Sequence, residues 1–181
     1  MWKDMKLRLN EIKSWNDREL ADYWISALRE KYPFNIGGED AYLVYLSMLP
    51  PVLGDAYLAF LVWAEVGNGG FEQYFFNKGT ILAQLAVGAL ERIGCRESSC
   101  IMKRAISAQQ ACEYQTQEKQ QEASRLLEQD EKAEAWDAFA SLYDAGTFAS
   151  LNDAYDHLDR EHNSCWLNHV RQHLDYLVPG A

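Results

Sequence analysis

A chain of 181 residues with 48% hydrophobic and 13% aromatic side chains has enough apolar material for one well-filled core and is short for two. Its 17 basic against 27 acidic residues give a formal net charge of −10, which disfavours nucleic acid or an anionic membrane surface as a direct partner and leaves basic proteins as the natural counterparts. The longest apolar run, Ala56 to Ala64, is far shorter than the roughly 18 residues of a membrane span, and Met1 to Lys6 lacks the apolar stretch of a secretory signal, so a cytoplasmic protein is expected.

Residues 1–13 mix basic and apolar positions. Asn16 or Asp17 can then cap a helix from about Arg18 to Lys31, whose apolar face is Leu20, Tyr23, Trp24, Ala27 and Leu28 and which Pro33 ends. After a loop, Glu39 and Asp40 load the first turn of a helix through Leu49, packed by Tyr42, Leu43, Tyr45 and Leu46. Pro50-Pro51 breaks it and opens the next, which is apolar nearly all round through Leu58, Leu61 and Val62 and is therefore expected at the centre.

That helix runs into Gly67, Gly69 and Gly70 around Asn68, a cluster that admits positive φ and hence a sharp corner. Phe71, Tyr74 and Phe75 fall at i, i+3 and i+4 on one face of a short helical turn, which must pack to exist. Asn77-Lys78-Gly79 ends it. Thr80 is placed to cap a helix striped by Ile81, Leu82, Leu85, Ala89 and Leu90, with Gly94 as its C′ stop. Residues 65–79 thus read as corner, aromatic turn, corner.

Glu97 to about Ala111 continues the helical pattern through Ile101, Ala105 and Ile106, whereas the glutamine-rich stretch Gln109 to Gln121 loses its apolar stripe and reads as a solvated helix or a loop. Leu126, Leu127, Trp136, Phe139, Ala140 and Tyr143 rebuild a core face before Gly146. Leu151, Ala154, Tyr155 and Leu158 mark one further helix; Asn163-Ser164 starts the last, with Trp166, Leu167, Val170, Leu174 and Leu177. No period-2 alternation occurs, so the expectation is an all-α single domain of roughly seven to nine helices over residues 1–181.

The run Asn68-Gly69-Gly70-Phe71-Glu72-Gln73-Tyr74-Phe75-Phe76-Asn77 resembles the Asn-Gly-Gly-Phe-x-Gln-Tyr-Phe-x-Asn signature of a family of small bacterial proteins typified by a DNA mimic. A weaker likeness continues through Ala89 to Gly94 and Asn152 to Tyr155, covering about residues 40–178 and leaving 1–39 as an N-terminal helical extension. The resemblance implies an all-α fold and an acidic surface that occupies the DNA site of a DNA-binding protein. Within the signature, Asn68, Gly69, Gly70, Phe71, Gln73, Tyr74, Phe75 and Asn77 have a structural reading. Gln73, Tyr74 and Asn77 could line a polar nook, but glycine corners and ring packing account for every position.

The common phosphate-loop, dinucleotide, zinc-protease and serine-hydrolase motifs are absent, and no catalytic residue, cofactor or metal is assigned. Cys165, His169 and His173 follow at four-residue steps, so these potential ligands would converge, but no distant anchor accompanies them; surface histidines beside an apolar face are the expectation, with His157 and His162 cut off by the break at Asn163. Cys95, Cys100, Cys112 and Cys165 form no Cys-x-x-Cys pair and are expected as reduced thiols.

Charge is unevenly placed. Met1 to Cys112 carries 13 acidic and 12 basic residues, and Glu113 to Ala181 carries 14 and 5. The candidate partner-binding residues are therefore the C-terminal carboxylates Glu118, Glu122, Asp130, Glu134, Asp137, Asp144, Asp153, Asp156, Asp159 and Glu161. Asp153, Asp156 and Asp159 step by three residues and so rise about 4.5 Å per step, comparable with the roughly 3.4 Å spacing of phosphates along one DNA strand. With the resemblance, this points to a non-enzymatic DNA mimic that binds a repressor or nucleoid protein. The alternatives are an immunity or antitoxin-type inhibitor of a basic toxin such as a nuclease and, behind it, a metal-dependent enzyme using the C-terminal histidines. A homodimer stays open.

Overall fold

The computed structural model describes residues 9–34, 38–113, 125–126, 132–141 and 146–177, with backbone alone at 38, 39, 113, 132, 159–161 and 163. The fold is all-α, and no strand occurs among the described residues. Its helices are α1 (Asp17–Lys31), α2 (Gly38–Met48), α3 (Pro51–Arg92), α4 (Arg96–Glu113), α5 (Lys132–Ala140) and α6 (Ala149–Gln172), followed by a 3₁₀ turn at Leu174–Tyr176.

Local signals set several of these ends. Asn16 caps α1 in a reciprocal box: its side chain accepts from the Glu19 amide while the Glu19 carboxylate accepts from the Asn16 amide. Pro51 occupies the first turn of α3, where its missing N–H costs nothing. Gly94, at φ 91°, closes α3: the Cys95 amide reaches the Leu90 carbonyl at 2.8 Å and the Gly94 amide the Glu91 carbonyl at 3.2 Å, the paired bonds of a Schellman stop.

The 42 residues of α3 are not one rod. Non-helical values at Gly69, Gly70 and Gly79 divide it into segments 51–68, 71–78 and 80–92. Asp55, near the beginning, receives two bonds from the Arg92 guanidinium, at 2.9 and 2.6 Å, so the third segment runs back antiparallel beside the first. The expected corner, aromatic turn and second corner are all present, with one redistribution: Gly67 stays helical, and the bend falls on Gly69 and Gly70. Thr80, expected as a cap, instead turns its hydroxyl to Gln109 Oε1 at 2.7 Å. Gln109 is itself buried, so the core face of α4 extends into the glutamine-rich stretch; residues 114–121 lie outside the described set.

Around this doubled helix the neighbours pack antiparallel, the arrangement short connections favour. Tyr45 meets Tyr57 across the Pro50-Pro51 turn; Lys103 reaches Glu91 while Gln109 reaches Thr80; His169 reaches Val52 while His162 reaches Ala59. α1 lies along α6, with Trp24 on Trp166 and Asp17 on Arg171, so the residues before the resembling region belong to the same core. α3 touches α2, α4, α5 and α6, which places it at the centre as its all-round apolarity required.

The C-terminal segment departs from expectation. Residues 149–172 form one helix of 24 residues, running unbroken through Asn163-Ser164. Asn and Ser favour caps only where no continuing stripe overrides them. Here the stripe of Leu151, Tyr155, Trp166 and Val170 is carried across the gap by His162, which is fully buried rather than a surface residue. Its Nε2–H donates to the Ala59 carbonyl at 3.2 Å, which fixes Nδ1 as acceptor from the Ser98 hydroxyl at 3.0 Å.

Burial holds the His162 imidazole neutral and pushes its pKa down to about 4, against the smaller opposing effect of the Ala59 carbonyl. Because the folded value is depressed, the unfolded chain takes up the proton first. Stability contributed by the neutral imidazole is full above about pH 6.5 and is lost as pH falls towards 4, by about 3 kcal/mol at about 1.4 kcal/mol per unit. Urea titrations at pH 7 and pH 4.5 are expected to show a markedly larger drop for the wild type than for His162→Gln. Equal drops would place the acid sensitivity elsewhere.

The four cysteines are not all thiols. Cys95 and Cys165 form a disulfide between the α3–α4 junction and α6, whereas Cys100 is exposed and Cys112 lies outside the bond. With 70 residues between the partners, no local spacing announces the pair. No described helix is long and apolar enough to cross a membrane.

Candidate functional site

The glycine corner and the acidic helices are one assembly. At Gly70, φ 76° and ψ −173° turn the chain into the aromatic segment, and Asn152 of α6 locks the bend: its Oδ1 accepts from the Phe71 amide at 3.0 Å and its Nδ2 donates to Glu72 at 3.1 Å. Phe71 then packs on Phe148, the residue just before α6, and on Tyr155 of α6, with centroids at 6.2 and 5.9 Å, and Phe75 on Phe148 at 5.7 Å. Phe76 points the other way, edge-on to Trp136 and Phe139 of α5. One helical turn of rings therefore seats both described acidic helices.

The polar half of the signature gathers on a carboxylate. Glu65 Oε2 accepts from Gln73 at 2.9 Å and from Asn77 at 2.7 Å, while its Oε1 pairs with Lys78 at 2.9 Å. Burial works to raise the Glu65 pKa, but the donors from Asn77, Gln73 and Lys78 and the ammonium charge outweigh it and hold the carboxyl below its ordinary value. Lys78 is itself buried, donating to the Tyr42 hydroxyl at 2.5 Å with its nitrogen 4.5 Å from that ring. The ion pair is thus supplied with enough hydrogen bonds to offset much of its desolvation. Gln73 and Asn77 are spent inside the chain, and Tyr74 lies fully in the core.

Of the predicted partner-binding carboxylates, Glu134 and Asp137 are exposed on α5, and Asp153 and Asp156 on α6. None of the four has a cationic partner among the described residues. Asp159 and Glu161 lie on α6, but their side chains are outside the described set; Glu118, Glu122, Asp130 and Asp144 fall outside it altogether.

The histidine row does not assemble as its spacing suggested. Cys165 is bonded to Cys95, and His169 Nε2–H donates to the Val52 carbonyl at 3.0 Å, half-buried with its pKa lowered chiefly by that burial. Only the rings of His169 and His173 lie together, 4.5 Å apart. Among the described residues no group of three His, Cys, Asp or Glu is placed to hold a metal ion.

Sequence reasoning gave Glu65, Lys78, Tyr42 and Asn152 no part in the polar network of the corner. The one available signal was that Glu65 closes the apolar run directly before the glycines; Asn152 meets the corner across 81 residues and carries no local mark.

No curated protein and no solved structure matches the chain. The model of the DMP19-like protein family matches residues 47–173, a span that runs from the end of α2 through the glycine corner and both acidic helices, and the chain belongs to that family.

Proposed function

We propose that the protein is a non-enzymatic acidic binding protein whose α5–α6 surface occupies the DNA site of a basic DNA-binding protein, a repressor or a nucleoid protein. The observation that carries this is the set of exposed carboxylates Glu134, Asp137, Asp153 and Asp156, which have no cationic partner among the described residues and stand on two helices that the glycine corner holds in place. Unrelieved like charge on a helix surface is mildly destabilising. It is compensated when a partner supplies the lysines and arginines it would otherwise set against phosphates. Membership of the DMP19-like family supports the same reading.

Replacing Glu134, Asp137 and Asp153 together by lysine should slow association with a partner captured from lysate by about tenfold or more at low salt, because steering fields act on encounter, and should leave the melting temperature unchanged or raised. Glu11, Glu30 and Asp40 to lysine is the control; Asp17 and Glu19 are unsuitable, being held by Arg171 and by the α1 cap. Duplex DNA should compete with the wild type for the partner. Equal loss from both triplets, or a partner that binds DNA and this protein together at full strength, would overturn the assignment; capture of a basic nuclease in place of a DNA-binding regulator would favour an inhibitor of the immunity type.

A further inference from the structure

At the C-terminal end of α6, His169 in the last turn and His173, the residue that follows the helix, bring their rings together, with centroids 4.5 Å apart and planes inclined at 53°. His169 is also tied to a second element. Its Nε2–H donates to the carbonyl of Val52 in the first turn of α3 at 3.0 Å, and because a carbonyl only accepts, the lone pair of the neutral ring falls on Nδ1. An imidazole whose other nitrogen is anchored on a backbone carbonyl is the usual form of a metal-binding histidine, since that bond fixes both the tautomer and the orientation of the ring.

The spacing of the two rings admits a shared ion. A metal about 2.1 Å from a ring nitrogen lies about 3.2 Å from the ring centroid, so centroids 4.5 Å apart subtend an angle of about 90° at the metal. A tetrahedral pair would need centroids about 5.2 Å apart. The inclination matters as well: two rings can hold one ion in both their planes where those planes intersect, which the planes of parallel stacked rings do not. Both side chains are partly exposed, so water can reach the remaining coordination positions. Asp55, whose charge acts on His169, has both oxygens on Arg92 and is not counted as a ligand, in keeping with the absence of a three-residue group among the described residues.

We propose that His169 Nδ1 and a ring nitrogen of His173 form a two-histidine site for a divalent transition-metal ion that takes its ligands at right angles, of the Ni²⁺ or Cu²⁺ kind, with water in the other positions. Imidazole suits these ions, and an angle near 90° matches tetragonal or octahedral coordination in preference to tetrahedral. The spacing of the histidines in the sequence offered no distant anchor; the fold supplies one in the Val52 carbonyl, which holds the ligand in place of binding the metal. The site lies at the opposite end of α6 from Asn152 and the glycine corner, and it does not depend on the function proposed above.

Calorimetric titration of the full chain with NiCl2 tests this, with the free thiols alkylated and Mg²⁺ in excess to occupy surface carboxylates. One Ni²⁺ per chain is expected. His173→Ala should weaken its binding about tenfold or more, and His157→Ala, at an exposed position on the same helix, should leave it unchanged. The chain has four histidines, so their ring proton resonances also report where the ion sits. In the wild type, a small fraction of an equivalent of octahedral Ni²⁺, which is paramagnetic, should broaden the ring signals of His169 and His173 and spare those of His157. That measurement needs no variant and so decides the matter even if His173→Ala fails to fold. Unchanged affinity in a folded His173→Ala protein, equal loss from His157→Ala, or broadening centred on His157 would overturn the site.

Discussion

Gly70→Ala is expected to destabilise the protein by about 3 kcal/mol or more, whereas Gly67→Ala, three residues earlier, should be neutral or stabilising by up to about 1 kcal/mol. At φ 76° and ψ −173° Gly70 occupies a region essentially closed to other residues, at a strain of about 1–3 kcal/mol. A methyl group there would also lie 2.6 Å from Asn152 Nδ2 and 2.7 Å from Glu72 Oε2. Displacing Asn152 strands the Phe71 amide, a further cost of about 1–3 kcal/mol. At Gly67 the backbone is helical and nothing lies within 4 Å of an added methyl, so only the lower entropy of the unfolded chain is felt. Gly69 falls between the two: its φ of −156° is open to any residue, but a side chain would collide with Gln73. Thermal melts of the three variants should rank them Gly67, Gly69, Gly70 in order of increasing damage, with the Gly70 midpoint lowered by about 6–12 °C or more. Equal midpoints for Gly67→Ala and Gly70→Ala would show that the bend lies elsewhere.

The Cys95–Cys165 bond closes a loop whose ends are 70 residues apart, and on the chain-entropy account its removal should cost about 4 kcal/mol, within a general range of about 2–4. Urea unfolding of the Cys95→Ser, Cys165→Ser double variant against the oxidised wild type measures this. Since Cys95 is 2% exposed and the bond ties α6 to the α3–α4 junction, the folded protein should resist mild reductant and open only with a larger unfolding event. Alkylation of the native, unreduced protein followed by mass spectrometry should leave Cys95 and Cys165 unlabelled. Label on either of them in native protein prepared without reductant would refute the pairing, and with it the predicted loss.

The acidic surface was legible because charge is additive along a chain: a count that separates a near-neutral first part from an acidic remainder needs no coordinates. What the count could not supply is the partner each carboxylate lacks or finds. Asp17 is drawn into an ion pair with Arg171 across the whole chain, and Glu65 disappears under Lys78, Gln73 and Asn77, while Glu134, Asp137, Asp153 and Asp156 are exposed and find no cation among the described residues. The seat of α6 on the corner was illegible for the same reason, since Phe71 and Asn152 are 81 positions apart and meet only in the folded chain.

By itself the sequence determined what depends on neighbours within a turn or two: a cap at Asn16 or Asp17, the proline start of α3, the Gly94 stop, a corner in the glycine cluster 67–70, and the helical period that made the fold all-α. These are set by backbone sterics and by hydrogen bonds that close over three or four residues, so the residue types suffice. Tertiary structure alone decided that α6 runs unbroken through Asn163-Ser164, that His162 is a core residue, that Cys165 is bonded to Cys95 and not a ligand beside His169, and that the signature's amides serve Glu65. Each of those outcomes turns on burial against a segment distant in sequence. There the free energy of excluding water from a stripe of side chains exceeds the few tenths of a kcal/mol by which local propensity favours a cap or a break.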